Sequence, residues 1–183
     1  MRIISGYYKG RKLNLPKNFA LRPTTDMAKE SLFNILRNHI DFEEIDALDL
    51  FSGTGSISYE LVSRGAKSVL AVEQNGQHIR FIESIIQKLE IENMRILRMD
   101  VFSFFKTNKR DFDLVFADPP YDLPELENIP DQIFSNNMLK SEGLFVLEHP
   151  RLSSFRTHPN FFEHRNYGSV NFSFFKNVED LSK

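Results

Sequence analysis

Short apolar runs separated by helix-length segments organise the chain from residue 45 onward. The runs are Ala47–Phe51, Ser68–Val72, Met94–Leu97, Phe112–Phe116 and Leu144–Leu147. Strands that alternate with helices in this way pair in parallel, and the helices then cover both faces of the sheet. The pattern therefore predicts an α/β fold built on a mostly parallel sheet.

Apolar residues at helical spacing support this prediction. One linking segment carries a stripe at Ile79, Ile82, Ile85, Ile86 and Leu89. A further helix ahead of the first strand is predicted from apolar positions at Ala28, Leu32, Ile35 and Leu36. Thr24 or Thr25 is suited to cap that helix, because a threonine hydroxyl accepts a hydrogen bond from a free amide of the first turn.

Both ends of the chain are predicted to form antiparallel hairpins. Near the carboxyl end, Phe161-Phe162 and Val170–Phe175 flank Tyr167-Gly168, which predicts a hairpin that closes one edge of the sheet. At the amino end, two short apolar runs around Gly6 and Gly10 predict a small β-hairpin. The chain is thereby divided into an amino-terminal arm, residues 1–22, and one larger domain, residues 23–183.

The distribution of charge singles out the arm. The 183 residues carry a net charge of −2, which by itself argues against a nucleic-acid partner. Residues 1–25, however, hold six basic side chains and no acid, whereas the other 158 residues hold 17 basic and 25 acidic side chains. Charge alone leaves two interpretations open, a solvated basic hairpin and a surface that binds a polyanion.

Composition excludes several classes of chemistry. The chain has no cysteine, so disulfides, thiolate metal sites and a cysteine nucleophile are ruled out. Its five histidines are scattered without an i, i+4 pair, and we expect no metal site. No apolar run approaches the roughly 18 residues of a membrane span, and no signal peptide is evident, so we expect a soluble cytoplasmic protein with no membrane contact.

A glycine-containing loop follows the first predicted strand. Asp49–Ile57 includes Gly53 and Gly55 and leads into a helix, and ligands bind at this end of open α/β sheets. The dinucleotide fingerprint requires a third glycine where Ser58 stands. Asp49, four residues before Gly53, suits a ligand with an ammonium and a sulfonium group, such as S-adenosylmethionine, better than a pyrophosphate. A plain structural turn remains the alternative at this point.

Acids also follow the next two strands. Glu73 lies 20 residues after Gly53, which is the spacing at which a carboxylate reaches ribose hydroxyls. Asp100 follows the third strand and could accept an adenine amino group, while Val101 could cover the ring. Each acid alone is more often a helix cap or a surface charge. Three acids at successive strand ends together favour a nucleoside-binding site.

The fourth strand leads directly into Asp118-Pro119-Pro120-Tyr121. An amino group conjugated to a base is a poor nucleophile, and this loop could activate it through two acceptors, the Asp118 carboxylate and the Pro119 carbonyl. The prolines restrict φ and hold that geometry, and Tyr121 offers a face on which an extruded base can stack. A rigid turn without chemistry is the alternative. The position after the fourth strand favours catalysis.

Taken together, these segments resemble the bacterial small-subunit ribosomal RNA guanine-N2 methyltransferases of the D type. The resemblance covers nearly the whole chain. It rests on Met1–Gly6, Gly10–Leu13, Arg22–Asp26, Glu30–Asn34, Asp49–Gly55, Asp118–Tyr121 and Tyr167-Gly168. The catalytic tetrapeptide is shared with adenine-N6 and glutamine-N5 methyltransferases, whereas the arm with Arg-Pro-Thr-Thr-Asp is more specific.

The resemblance implies a Rossmann-like class I methyltransferase fold with a seven-stranded, mostly parallel sheet. It implies S-adenosylmethionine as methyl donor, without a metal, and a guanine of 16S ribosomal RNA in the assembling small subunit as substrate. The donor would be held by Asp49, Phe51, Ser52, Gly53, Thr54, Gly55, Glu73, Gln74, Asp100 and Val101. The guanine would meet Asp118, Pro119, Pro120 and Tyr121. The RNA would contact Arg2, Lys9, Arg11, Lys12 and Arg22.

Four other functions remain open. The same tetrapeptide would serve an adenine-N6 DNA methyltransferase or a protein-glutamine methyltransferase, although both classes usually need a separate recognition domain. A nicotinamide oxidoreductase would need the glycine that Ser58 replaces. A non-catalytic RNA-binding assembly module would keep the fold with an inert loop. We expect the protein to act as a monomer.

Overall fold

A seven-stranded sheet forms the centre of the protein. The computed structural model describes residues 1–16, 19 and 25–177. The strands are β1 (Asp46–Leu50), β2 (Ser68–Glu73), β3 (Met94–Arg98), β4 (Phe112–Ala117), β5 (Leu139–His149), β6 (Phe161–Tyr167) and β7 (Val170–Lys176). Their order is β3-β2-β1-β4-β5-β7-β6, and β7 runs in the direction opposite to the other six strands. The predicted parallel sheet with a carboxyl-terminal antiparallel hairpin is confirmed.

Helices cover both faces of the sheet. They are α1 (Asp26–Leu36), α2 (Ser56–Ser63), α3 (Gly76–Leu89), α4 (Val101–Thr107) and α5 (Ile129–Ser135). One apolar cluster joins α1, α2 and α3 to one face through residues such as Leu32, Leu61 and Ile82. A second cluster joins α4 and α5 to the other face through Phe104 and Ile133. This is the doubly covered arrangement that buried parallel strands require.

Polar caps set where the helices begin. The Thr25 side chain accepts from the Ala28 amide across 3.2 Å, so it is the cap of α1 that the sequence left undecided between two threonines; Thr24 lies outside the described residues. Asn75 caps α3, and Asp100 caps α4 by accepting from the Ser103 amide. These bonds satisfy amides that have no partner inside the helix.

Two of the differences between predicted and observed strand boundaries have an evident physical reason. Phe51 was predicted to end the first strand, but β1 ends at Leu50 and Phe51 adopts a left-handed φ of 56°. The apolar run Leu144–Leu147 marks only the centre of β5, which spans Leu139–His149. The strand is longer because Lys140 pairs with Asp46 and Asp113, at 2.9 and 2.8 Å, along a polar stretch that hydrophobicity does not reveal.

The amino-terminal segment folds back on itself but forms little regular sheet. Its two limbs share one isolated antiparallel bridge, Arg2 with Lys12, rather than the ladder of a β-hairpin. Ile3 and Leu13 are 2% and 3% exposed and belong to the cluster under α1 and α2. The segment is therefore anchored in the core, a contact that its short apolar runs did not indicate.

A buried carboxylate holds this segment in place. Glu60 of α2 is fully buried, and it accepts from the amides of Ile4 and Ser5 at 2.8 and 3.0 Å. Its charge is balanced by Arg64 at 2.9 Å and, more distantly, by Lys29 at 3.9 Å. Burial lowers the pKa of Lys29, with Glu60 opposing that effect. Removing Glu60 would leave a buried cation without compensation, which is strongly destabilising.

Within the part of the chain that the structure describes, no helix combines the length and the apolar character that a transmembrane segment needs.

Candidate active site

A cavity of about 560 Å³ opens at the carboxyl ends of the parallel strands. It lies at the junction of β1 and β4, where the connections leave toward opposite faces and a crevice forms. Nine residues predicted to bind a cofactor line it: Asp49, Phe51, Ser52, Gly53, Thr54, Glu73, Gln74, Asp100 and Val101. All four residues of the predicted catalytic loop, Asp118, Pro119, Pro120 and Tyr121, line the same cavity.

Gly55 is the one predicted cofactor residue that does not line the cavity. It caps α2 with a φ of 81°, and a Cβ at this position would lie 2.9 Å from the Tyr59 ring. A larger residue is therefore excluded both by backbone strain and by space. Gly55 shapes the loop, while Phe51 and Gly53, with φ values of 56° and 55°, turn it around the cavity.

Asp49 is tied to the residue that replaces the third glycine. Its Oδ2 accepts from the Ser58 amide at 3.1 Å and from the Ser58 hydroxyl at 2.5 Å. Asp49 is 2% exposed, and burial raises its pKa to about 7 against the lowering effect of the two Ser58 bonds. The site therefore holds a carboxyl group that a nearby cation would readily ionise.

Glu73 binds backbone amides of two loops at the cavity. Its Oε2 accepts from the Gly53 amide at 2.8 Å, and its Oε1 accepts from the amides of Gln74 and Asn75 at 3.0 and 2.7 Å. His78 of α3 places Nδ1 3.7 Å from the same oxygen. Glu73 thus joins the first loop to the second, and it presents its carboxylate at the cavity wall in a fixed orientation.

The third strand contributes a cap and an apolar wall. Asp100 Oδ1 accepts from the Ser103 amide at 2.9 Å, and the neighbouring Val101 is buried at 3% exposure. Met99, which precedes them, also lines the cavity. Asp100 therefore caps α4, as an aspartate before a helix commonly does, and it also lines the cavity.

The fourth loop meets the end of β5. The Asp118 amide donates to Leu50 of β1 at 3.4 Å, Pro119 is buried, and Asp118 and Tyr121 are half-buried. The Tyr121 hydroxyl donates to Glu148 Oε1 at 3.2 Å. Glu148 is 4% exposed and lines the cavity with Asp118. Two carboxylates and an aromatic ring thus share one end of the cavity.

Comparison with known proteins identifies the family. A family model described as conserved hypothetical protein 95 matches residues 1–176. The ribosomal RNA small subunit methyltransferase D of Buchnera aphidicola subsp. Baizongia pistaciae is 31% identical over 99% of this chain and 94% of its own length. This chain belongs to the ribosomal RNA small subunit methyltransferase D family. The family member from Escherichia coli is 32% identical over 81% of this chain and 74% of its own.

Solved structures agree with this assignment. A putative methyltransferase from Escherichia coli, yhhF, superposes with a TM-score of 0.86 at 29% identity and covers 97% of each chain. A putative methylase from Haemophilus influenzae superposes with a TM-score of 0.80 at 29% identity, over 97% of this chain and 98% of its own. The predicted family and the predicted Rossmann-like class I methyltransferase fold are both confirmed.

Sequence reasoning missed Glu148. This acid directly follows the apolar run Leu144–Leu147, so its position at a strand end was visible in the same way as those of Glu73 and Asp100. What the sequence did not show is that β5 lies beside β4, which carries the catalytic loop. Asn75, His78 and Met99 are further lining residues that the spacing of motifs did not indicate.

The basic residues predicted to contact RNA occupy different positions along the arm. Arg2, Lys9, Arg11 and Lys12 are exposed, while Arg22 lies outside the described residues. The bridge between Arg2 and Lys12 lies near the cavity, because the neighbouring Met1 contacts Thr54 at 4.0 Å. Lys9 lies in the turn that is bonded to Ser63, at the far end of α2. The structure therefore places Lys9 at the other end of the arm from Arg2 and Lys12.

Proposed function

We propose that this protein transfers a methyl group from S-adenosylmethionine to the exocyclic N2 amino group of a guanine in small-subunit ribosomal RNA. The observation that carries the proposal is that one cavity holds both the Asp49–Ile57 loop and the Asp118–Tyr121 loop, with Glu148 beside the latter. The family relationship supports ribosomal RNA as the substrate class, since the relatives carry that substrate in their names.

The residues around the first loop fit the methyl donor. The cavity volume of about 560 Å³ is within the usual range for small-molecule sites. Ser52 lines the cavity, and its buried Oγ has no hydrogen-bond partner among the described residues, so a polar ligand atom would satisfy it. We assign the donor's ammonium to Asp49, its ribose hydroxyls to Glu73 and its adenine to Asp100 and Val101. When bound, S-adenosylmethionine supplies an electrophilic methyl group on a sulfonium.

The Asp118–Tyr121 loop would orient and activate the target amine. The Asp118 carboxylate and the Pro119 carbonyl can each accept one N–H, which favours the pyramidal nitrogen whose lone pair is free to attack. The two prolines restrict φ, so the acceptors keep their positions without a rearrangement during the reaction. Positioning supplies most of the acceleration in such a site. Asp118 can then take the proton that the methylated amine releases.

Glu148 supports guanine as the base. A carboxylate accepts hydrogen bonds and donates none, and guanine presents N–H donors at both N1 and N2, whereas adenine presents a bare acceptor at N1. Two carboxylates, Asp118 and Glu148, therefore match the donor edge of guanine and would repel the corresponding edge of adenine. Tyr121, which is bonded to Glu148, would stack on the base and keep that carboxylate in position.

The arm would contribute contacts to RNA phosphates. Arg11 and Lys12 are exposed and form no ion pair with other described residues. Reversing both charges is expected to weaken RNA binding and to flatten its dependence on salt, because each lost phosphate contact removes released counterions. Measuring the dissociation constant at several salt concentrations checks this.

The decisive test is methyl transfer to small subunits from cells that lack this protein. Labelled donor is supplied, the RNA is digested to nucleosides, and the product is identified by mass spectrometry; duplex DNA and release factors are assayed in parallel. We expect label in N2-methylguanosine alone. Label in adenine, in DNA only or in protein only would contradict the proposal.

Three variants connect the reaction to the site. Asp118→Ala is expected to lower the rate by about 10²–10³-fold while donor affinity in calorimetry stays within a few fold. Asp122→Ala is the matched control, because Asp122 is an exposed acid in the same loop that does not line the cavity. Glu148→Gln is expected to lower kcat/KM for guanine. An unchanged rate in Asp118→Ala would remove that residue from the mechanism.

A further inference from the structure

A second cavity lies between the loop that follows β5 and the carboxyl-terminal hairpin. Its volume is about 420 Å³. Two arginines, Arg151 and Arg156, stand at the loop side, and His164, Asn166, Asn171 and Ser173 stand on the hairpin. None of the described residues that line it is acidic. We call this feature the β5–β7 cavity.

The two arginines are available for a ligand. Arg151 and Arg156 are exposed, and neither makes an ion pair or a hydrogen bond with the residues that the structure describes. Some arginines of the molecule are paired with acids; Arg64 binds Glu60, and Arg165 binds Glu163 on the hairpin itself. Two guanidinium groups without carboxylate partners, at one open cavity, create a local preference for an anion.

The hairpin side of the cavity is buried and polar. Asn171 and Ser173 are 2% and 1% exposed, although they line the cavity. Asn171 Oδ1 accepts from Asn166 at 2.8 Å, but Asn171 Nδ2 has no acceptor among the described residues. A buried donor without a partner is costly, and an anion oxygen that entered the cavity would offset that cost after a small side-chain shift.

The β5–β7 cavity lies close to the candidate active site. Glu148 lines the active-site cavity and Arg151 lines this one, and three residues of chain span at most about 11 Å. Both cavities open at the carboxyl end of β5, since Asn171 of β7 pairs with His149 there. A group bound at the arginines would therefore belong to a nucleotide near the target base.

We propose that the β5–β7 cavity binds a backbone phosphate of the RNA substrate next to the methylated nucleotide. The inference rests on the proposed function for the identity of the polymer. Its own support comes from the described residues: two arginines without an ion-pair partner, no acid in the lining, and a buried Asn171 amide without an acceptor. It also addresses the net charge of −2, because the RNA surface then extends from the arm to the opposite side of the active site.

The test compares variants of the full chain in binding to undermethylated small ribosomal subunits with S-adenosylhomocysteine present. Arg151→Ala/Arg156→Ala is expected to raise the dissociation constant about tenfold. The slope of log affinity against log salt concentration should become shallower by about 0.7–0.9, which corresponds to the loss of one phosphate contact. Lys106→Ala/Lys109→Ala is the matched control, because both lysines are exposed and lie just before the amino end of β4, whereas the cavity lies at the carboxyl end of β5. Ser154→Asp, an exposed change at the cavity, should reproduce the loss.

The source of the phosphate is tested separately. Titration of inorganic phosphate, followed by the side-chain amide signals of Asn171 in NMR, is expected to shift those signals in the wild type and not in the double arginine variant. If phosphate shifts these signals but none of the variants changes the affinity for RNA, the cavity binds a free anion. That result would overturn the RNA contact. Absence of both effects would overturn the site altogether.

Failure of this inference differs from failure of the proposed function. If the arginine variant binds as the wild type does while guanine is still methylated, the phosphate contact is wrong and the function stands. If the arginine variant loses affinity for RNA but the wild type methylates no guanine, the phosphate contact is supported and the proposed reaction is wrong. A normal rate at saturating substrate in the variant shows that the arginines act on binding.

Discussion

The Tyr121 hydroxyl donates a hydrogen bond to Glu148 Oε1 across 3.2 Å, which links the loop after β4 to the end of β5. Glu148 is almost fully buried, so its carboxylate depends on such donors to remain in place. The bond therefore orients both groups toward the cavity that they line with Asp118. Two variants of Tyr121 distinguish the contribution of this hydrogen bond from that of the aromatic ring.

Tyr121→Phe keeps the ring and removes the hydroxyl that donates to Glu148, so we expect kcat/KM to fall by about tenfold or less. Tyr121→Ala also removes the stacking surface, which is worth about 1–3 kcal/mol for a base, and kcat/KM should fall further, by roughly 5- to 150-fold. Steady-state methylation of undermethylated small subunits measures both. Equal losses in the two variants would show that the ring does not meet the base.

Asp49 predicts a pH dependence of donor binding. Burial raises the pKa of Asp49 to about 7, so the carboxyl must release a proton below that pH before it can pair with an ammonium. Affinity for S-adenosylhomocysteine should therefore weaken as the pH falls below about 7, by up to about tenfold per unit. Asp49→Asn should bind more weakly at pH 8 and show little pH dependence. Exposed Asp111→Asn is the control, and calorimetry is the measurement.

The raised pKa of Asp49 also affects folding stability, which should change with pH in the direction opposite to donor affinity. Because the folded pKa of Asp49 lies above its value of 3.8 in the unfolded chain, the folded state binds the extra proton between about pH 4 and pH 7. This contribution to stability is present at low pH and is lost as the pH rises to about 7. The stability of the wild type relative to Asp49→Asn should therefore fall over that range. Urea unfolding at pH 5 and pH 8 would contradict this if the difference between the two proteins stayed constant.

Two glycines of the arm predict different costs for the same substitution. A Cβ on Gly6 would lie 1.6 Å from the Ser63 carbonyl oxygen, whereas a Cβ on Gly10 would have nothing within 4 Å. Both have left-handed φ angles, 79° and 82°, so Gly10→Ala should cost only the backbone strain of about 1–2 kcal/mol.

Gly6→Ala should cost more, because the arm must leave α2 and the Tyr7 amide then loses its 2.6 Å bond to Ser63. Urea unfolding measures the two costs, and hydrogen exchange at the amides of residues 4, 5, 7 and 8 reports whether the arm is released. If Gly6→Ala and Gly10→Ala lost the same stability and kept the same exchange protection, the packing of the arm against α2 would be refuted.

Much of the fold and of the candidate site was predictable from local pattern. Strand β1 was predicted as Ala47–Phe51 and spans Asp46–Leu50, and the acids after three strands were expected to share one site. They line one cavity because parallel strands end at the same edge of the sheet. The spacing of apolar residues, two in strands and 3.6 in helices, is a local property of the sequence. The position of a motif directly after a strand is fixed by that strand.

Other features depend on contacts between residues distant in the chain. The sequence did not show that Ser58, in the place of a glycine, would bond to Asp49, or that the buried Glu60 would anchor Ile4 and Ser5 across more than 50 positions. Such pairings are set by the packing of α2 against the sheet and the arm. No local pattern specifies them, because each partner alone resembles an ordinary polar residue.

The amino-acid sequence by itself determined the succession of strands and helices along the chain, the two loops and the family, since these depend on periodicity and on contiguous motifs. Tertiary structure alone decided that Glu148 faces Tyr121 and that Arg151 and Arg156 share a cavity with Asn171. The physical reason is the sheet order, in which β4 and β7 flank β5. Hydrogen bonding between strands brings these side chains together, and strand order is a property of the whole packed sheet.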